Sequence, residues 1–211
     1  MTIKAVIWDL GGVIVRTEDF TSRERIARQL EKTRQELEEL VFSGESGQLT
    51  QLGQQSDEAH WERVRQALQI SPEEFPAFQQ AFWGGDRLDD SLVNFIRNLR
   101  PTYRTGLLSN HFPGLRNTLA TQWKIADAFD QIVISAEEGI LKPDPRIYQI
   151  MLERLTVPAE EAIFIDDFIK NIHGAQAVGL QAIHFRYPEQ AKIELLGFLN
   201  GQESGAEANA N

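Results

Sequence analysis

Polar residues follow a series of short apolar runs in this chain. Asp9 follows Ala5 to Trp8, Ser109 and Asn110 follow Thr105 to Leu108, and the adjacent pair Asp166 and Asp167 follows Ala162 to Ile165. Lys142 comes after the run Gln131 to Ile134, within Gly139-Ile140-Leu141-Lys142-Pro143. Taken singly, each has an ordinary reading. An aspartate or a Ser-Asn pair after a strand caps a turn or a helix, and a lysine before a proline is a solvated loop charge. The acidic pair is harder to assign to a turn. Two carboxylates ~5 Å apart repel by about 3 kcal/mol at an effective dielectric of ~20, and Asp9 in the same crevice adds a third negative charge. A divalent cation with oxygen ligands, assisted by Lys142, relieves that repulsion.

These residues can meet only if the chain carries them to one edge. The apolar runs, with another at Gln181 to Phe185, alternate with helical patterns. Leu92, Phe95, Ile96 and Leu99 share one face of a helix predicted over Asp90 to Leu99, and Ile147, Ile150, Met151 and Leu155 share one face over Pro145 to Leu155. A shorter helix is predicted over Asn171 to Val178, closed by Gly179. Strands alternating with helices imply an α/β fold with a parallel sheet, and ligands then sit beyond the carboxyl ends of the strands. From Thr17 to Gly85 no strand pattern is found. Ser22 is read as an N-cap, followed at helical spacing by Ile26, Leu30, Leu37, Leu40 and Val41. Asp57 to Leu68 and the stretch marked by Phe75, Phe78, Phe82 and Trp83 read as further helices. The organisation expected is an α/β core over 1–16 and 86–200, a helical segment over 17–85 inserted after the first strand, and a disordered tail over 201–211.

Composition bounds the partners. The 211 residues are 42% hydrophobic and 25% charged, which fits a globular chain. Lys and Arg total 21 against 31 Asp and Glu, a net charge of −10, which disfavours nucleic acid and anionic membranes as partners. With no cysteine, thiol chemistry and disulfides are excluded. No apolar run approaches the length of a transmembrane helix, and the N-terminus lacks a signal-peptide pattern, so a cytoplasmic location is expected.

The segments Val6-Ile7-Trp8-Asp9-Leu10-Gly11-Gly12-Val13, Leu108-Ser109-Asn110, Lys142-Pro143 and Phe164-Ile165-Asp166-Asp167 resemble the four ordered motifs of the haloacid dehalogenase-like (HAD) hydrolase superfamily. The helical insert resembles that family's C1-type cap on its Rossmann-like core. Asp9-Leu10-Gly11-Gly12-Val13 and Lys142-Pro143-Asp144-Pro145-Arg146-Ile147-Tyr148 look most similar to bacterial sugar-1-phosphate phosphatases and the phosphatase domain of soluble epoxide hydrolases. The resemblance implies Mg²⁺-dependent hydrolysis of a small phosphorylated metabolite by a monomer or homodimer. Asp9 would be the nucleophile forming an aspartyl-phosphate. Asp9, the Gly11 carbonyl and Asp167 would hold Mg²⁺, with Asp166 as a further ligand or behind it. Ser109, Asn110 and Gly12 would contact phosphate, and Lys142 would neutralise charge on Asp9 and the phosphoryl group.

The sequence departs from that pattern at Gly11, where most phosphatases of the superfamily carry an acid–base Asp. Three accounts stay open. The substrate has a leaving group that needs little protonation, such as an anomeric sugar phosphate. Another residue, Glu18, Asp19 or His111, reaches in. Or turnover is weak or lost, leaving a phosphate-binding protein. Arg16 and His111 could each face a substrate anion or be loop residues, and the aromatic residues of the insert are read as its core. A metal-independent 2-haloacid dehalogenase is a rival on the same fold. The Asp166-Asp167 pair speaks against it, because two uncompensated carboxylates repel a carboxylate substrate. A phosphorylatable receiver domain is disfavoured by the order of its acidic residues and by the insert.

Overall fold

The computed structural model describes residues 2–201, so most of the expected tail lies outside the described residues. The chain enters through β1 (Ala5–Trp8), every residue of which is buried. A tight turn follows, in which the amides of Ile14 and Val15 both donate to Leu10 O at 2.8 Å, and it leads into β2 (Val15–Thr17). Then come α1 (Thr21–Gln29), α2 (Arg34–Glu38, continued by a wider turn to Ser43), α3 (Glu45–Gln51), α4 (Asp57–Ala67) and α5 (Phe75–Trp83). After them follow β3 (Asp86–Leu88), α6 (Asp90–Leu99), β4 (Arg104–Ser109), α7 (Leu115–Asn117), β5 (Gln131–Ile134) and α8 (Ser135–Glu138). The chain closes with α9 (Pro145–Leu155), β6 (Ala162–Asp166), α10 (Ile169–Ala177), β7 (Gln181–His184) and α11 (Pro188–Leu199).

The main sheet has the order β5-β4-β1-β6-β7 with all pairs parallel. The strand order reverses at β1, so the crevice beyond its carboxyl end is where this topology places a ligand. Both faces of the sheet are covered, which is why its strands read as continuous apolar runs. Val6, Trp8, Leu107, Ile163 and Ile165 pack toward Leu92 and Ile96 of α6 and Leu195 of α11. Ala5, Ile7, Leu108 and Phe164 face Ile147 and Met151 of α9 and Ile172 of α10. This alternation is the two-residue period of a strand. The helices between β2 and β3 have their own core, with Ile26, Leu37, Val41, Val64, Phe78 and Phe82 buried together.

Several local expectations are corrected. The junctions beside the helical insert pair as a two-stranded antiparallel ribbon, with Val15 opposite Leu88 and Thr17 opposite Asp86. Strands of three residues carry too little apolar pattern to be read. Ser22 does not cap α1: it lies inside the helix and its hydroxyl donates to Ala81 O at 2.8 Å, while Asp19 accepts from the Thr21 N–H at 2.8 Å. The stretch Ile26 to Val41 is not one helix. It breaks at Glu31, whose φ is 54°, and restarts with a capping box between Thr33 and Glu36. Helices α3 and α11 were not anticipated. The exposed Ile193 and Leu196 blur the apolar face of α11.

Candidate active site

Asp9 leaves the carboxyl end of the central strand and is 7% exposed. Its Oδ1 accepts from the Leu10 N–H at 2.7 Å and lies 2.8 Å from Lys142 Nζ. No donor among the described residues reaches Oδ2, which leaves that oxygen free to act. Lys142 sits in the loop between α8 and α9, with its side chain buried. Its Nζ is fully committed: it also donates to Asp166 Oδ2 at 2.6 Å and to Leu108 O at 3.0 Å. Burial works against the ammonium, but the Asp9 and Asp166 charges outweigh it and hold its pKa above the ordinary value.

Asp166 and Asp167 play different parts. Asp166 is wholly buried at the end of β6. Its carboxylate is saturated by Lys142, by the Phe168 N–H at 2.7 Å and by Asn171 Nδ2 at 3.0 and 3.1 Å. It therefore organises the site from behind. Asp167 faces solvent, and its carboxylate occupies the space left by Gly12, whose φ is +78°. A Cβ on Gly12 would overlap that carboxylate, so the glycine is required twice, by backbone and by space.

The three acids have oxygens within 4.8 Å of one another, and Lys142 is paired with two of them. Burial pushes the Asp9 carboxyl up to about 8; the Lys142 charge opposes this, and Asp166 and Asp167 add to it. Partial burial in the crevice, followed by the Asp166 charge, pushes Asp167 up to about 6. The site is thus short of positive charge, and a hard cation bound by oxygen ligands matches both the donors and the deficit.

On the opposite wall, Ser109 ends β4 with 2% exposure and no protein partner for its hydroxyl among the described residues. Asn110 was expected to contact phosphate, but its side chain is committed elsewhere. Its Nδ2 donates to Lys142 O at 3.0 Å and its Oδ1 accepts from the Lys142 N–H at 2.8 Å. The amide therefore aligns the lysine. Gly12 was also expected to contact phosphate, yet its N–H is spent on Val15 O at 2.9 Å, leaving it the role of a space for Asp167.

The other candidates have partners of their own. Arg16 donates to Val13 O at 2.5 Å and to Asp89 at 2.9 Å, bracing the ribbon against the start of α6. Glu18 lies 3.5 Å from Arg16, and Asp19 accepts from Thr21. The His111 ring contacts Phe112 O at 3.2 Å, and burial keeps its imidazole below the usual range, although that carbonyl opposes the shift. Sequence reasoning noted Asn171 without a task and missed Ser135 altogether. The interval from Asp167 to Asn171, about one helical turn, was the available signal for the first; the second sits at a strand end without standing out. An open groove of about 510 Å³ lies between Phe42, Gln51 and Leu52 of the helical insert and Leu141, Lys142 and Arg146 of the core.

Over 188 residues the chain is 28% identical to a sesquiterpene phosphatase of Aspergillus oryzae, covering 87% of this chain and 90% of that protein. A stretch of 73 residues is 48% identical to acyl-CoA dehydrogenase family member 10 of Mus musculus, covering 33% of this chain and 7% of that protein, so the chain spans only a small part of that relative. A magnesium complex of a HAD family enzyme from Bacteroides thetaiotaomicron superimposes with a TM-score of 0.75 at 20% identity, covering 92% of this chain and 99% of that one. At that identity the likeness concerns the fold. The family model of haloacid dehalogenase-like hydrolases matches residues 3–179, most of the chain, and the protein belongs to that family.

Proposed function

We propose that the protein is a Mg²⁺-dependent phosphatase that hydrolyses a small phosphomonoester through a phospho-Asp9 intermediate. The observation that carries this reading is the free Oδ2 of Asp9, set among Lys142 and two further carboxylates at the switch point of the sheet. The sesquiterpene phosphatase that aligns with nearly the whole chain supports the same reaction class.

Asp9 Oδ2 attacks phosphorus, a P–O(Asp) bond forms, and the ester P–O bond breaks with its electron pair leaving on the ester oxygen. Water then attacks phosphorus, loses a proton to solvent, and the P–O(Asp) bond breaks to return the Asp9 carboxylate and inorganic phosphate. Lys142, bonded to Asp9 Oδ1, holds the nucleophile in one orientation and offsets negative charge in both steps. Ser109 supplies a hydroxyl donor to a phosphoryl oxygen, and Asn110 acts through the Lys142 main chain.

The acidic cluster fits Mg²⁺. Asp9, Asp167 and the Gly11 carbonyl would hold the ion, with Asp166 behind them; when bound it supplies charge for the phosphoryl oxygens. The space left by Gly12 supports this, because it admits the Asp167 carboxylate beside two buried acids whose charge repels it.

Gly11 supplies no acid, and a Cβ there would meet nothing within 4 Å. Glu18 and Asp19 have partners elsewhere, the His111 ring pairs with Phe112 O at 3.2 Å and burial holds its imidazole below the usual range, and Lys142 has no N–H to spare. We therefore read the substrate as one whose leaving group departs without a proton, and a sugar 1-phosphate answers that description. The helical segment over 17–85 would act as a cap, with the groove beside Leu141 taking the rest of the substrate. The deciding experiment is phosphate release from glucose 1-phosphate and glucose 6-phosphate with and without Mg²⁺. Mg²⁺-dependent release that favours the 1-phosphate is expected. No release from either, or equal turnover of the 6-phosphate, counts against the reading.

A further inference from the structure

Ser135 is wholly buried at the first residue of α8, and its hydroxyl joins two distant parts of the chain. It donates to Gln51 O, at the end of α3, at 2.7 Å and accepts from the His111 N–H at 3.0 Å. The carbonyl of a last helical residue has no partner within its own helix, and here the core supplies one. Two further contacts join the same parts. Gly53, just past α3 with φ +67°, lies so close to Ala136 O that a Cβ would overlap it. In α4, the His60 ring packs on Phe112, next to His111, with ring centroids 4.8 Å apart.

The segment 109–112 is thus held from two sides. Asn110 ties it to the Lys142 main chain, and His111 ties it, through Ser135, to the helical insert. A hydroxyl has one proton. While Gln51 O is seated it takes that proton, and donation strengthens the lone pair offered to His111. A second acceptor, His111 O at 3.3 Å, is in reach when Gln51 leaves.

We propose that Ser135 is a positioning residue that couples the docking of α3 to the alignment of Ser109, Asn110 and His111 with Lys142. The segment is in register for an anion only while the insert is seated. The inference rests on the reading of Ser109 as the phosphoryl donor, with Asn110 aligning Lys142 beside it, and its test separates the two.

Two variants perturb the coupling from opposite ends. Ser135→Ala removes both bonds. Gly53→Ala sets a methyl group against Ala136 O and so pushes the end of α3 off α8, while Ser135 and residues 109–112 keep their side chains. Each is compared with wild type by hydrogen exchange of the His111 amide and by inhibition of p-nitrophenyl phosphate hydrolysis by inorganic phosphate, at a temperature where all are folded. Both variants are expected to exchange the His111 amide about tenfold faster and to weaken phosphate inhibition about tenfold, as sub-ångström misalignment does. A purely structural role would lower the melting temperature and leave both readouts of Gly53→Ala at wild-type values, which overturns the proposal. If Ser135→Ala does not fold, Gly53→Ala decides alone. If wild type hydrolyses no phosphate ester, the functional reading fails, and the exchange measurement still decides the coupling.

Discussion

The Asp167 carboxylate occupies the volume that a side chain on Gly12 would fill. An acid just past β6 and the turn after β1 are thereby fitted to each other, and the cation site depends on a missing methyl group. Gly12→Ala should displace Asp167 and strain the turn, because φ there is +78°. We expect Mg²⁺ affinity to fall at least ~10-fold, within the range seen when groups supporting a metal ligand are lost. Calorimetric titration of Mg²⁺ into both proteins checks this, and unchanged affinity would remove Asp167 from the ligand set.

The Asn110 amide presents its donor to Lys142 O and its acceptor to the Lys142 N–H. Asn110→Ala loses both bonds, at roughly 0.5–1.5 kcal/mol each, and should lower kcat/KM. Asn110→Asp keeps the acceptor but sets an oxygen against Lys142 O, so it should fall further than the alanine. Steady-state kinetics of both variants give the order, and a milder aspartate would mean that the amide does not align the lysine.

Proton linkage gives a pH signature. The Asp9 carboxyl releases its proton near 3.8 when unfolded but holds it up to about 8 when folded. Between those values the folded chain binds more protons, so this group's contribution to stability falls as pH rises. Asp167 adds a smaller effect of the same sign, with a folded value of about 6. Mg²⁺ binds the deprotonated acids and should raise the melting temperature more at pH 8 than at pH 5. Thermal melts at both values check this. Asp9→Asn should flatten the metal-free slope.

Much of this was legible before the fold was seen. The strands at Ala5–Trp8 and Gln131–Ile134, and the helices at Phe75–Trp83, Asp90–Leu99 and Pro145–Leu155, fall where apolar runs and helical spacing put them. Those elements bury one face or two, and burial writes itself into composition. Asp9, Ser109 and the acidic pair stand out in the sequence because parallel strands deliver their carboxyl ends to one edge, and Lys142 because it follows the remaining strand. What stayed hidden are pairings set by tertiary contact: Asn110 with Lys142, 32 residues on, and Ser135 with Gln51, 84 residues back. A main-chain partner leaves no mark on residue type. The ribbon of Val15–Thr17 and Asp86–Leu88 was missed for a related reason, since its residues are only partly buried or exposed.

The open space beside Gly11 gives a gain-of-function test. Gly11→Asp meets no atom of the described residues within 4 Å of its Cβ and puts a carboxyl group two residues after Asp9. General acid catalysis is typically worth ~10² to 10⁴ in rate. The variant should gain most on glucose 6-phosphate, whose alkoxide leaves poorly, and little on p-nitrophenyl phosphate. Equal effects on both would mean that leaving-group protonation does not limit the wild type.

The central claim is that Asp9 carries the phosphoryl group, and Asp9→Asn tests it most directly. With Mg²⁺ and glucose 1-phosphate, wild type should release phosphate and show an acid-trapped mass gain of one phosphoryl group on the Asp9 peptide. Asp9→Asn should keep its fold by circular dichroism and do neither. Phosphate release by that variant at the wild-type rate would contradict the account.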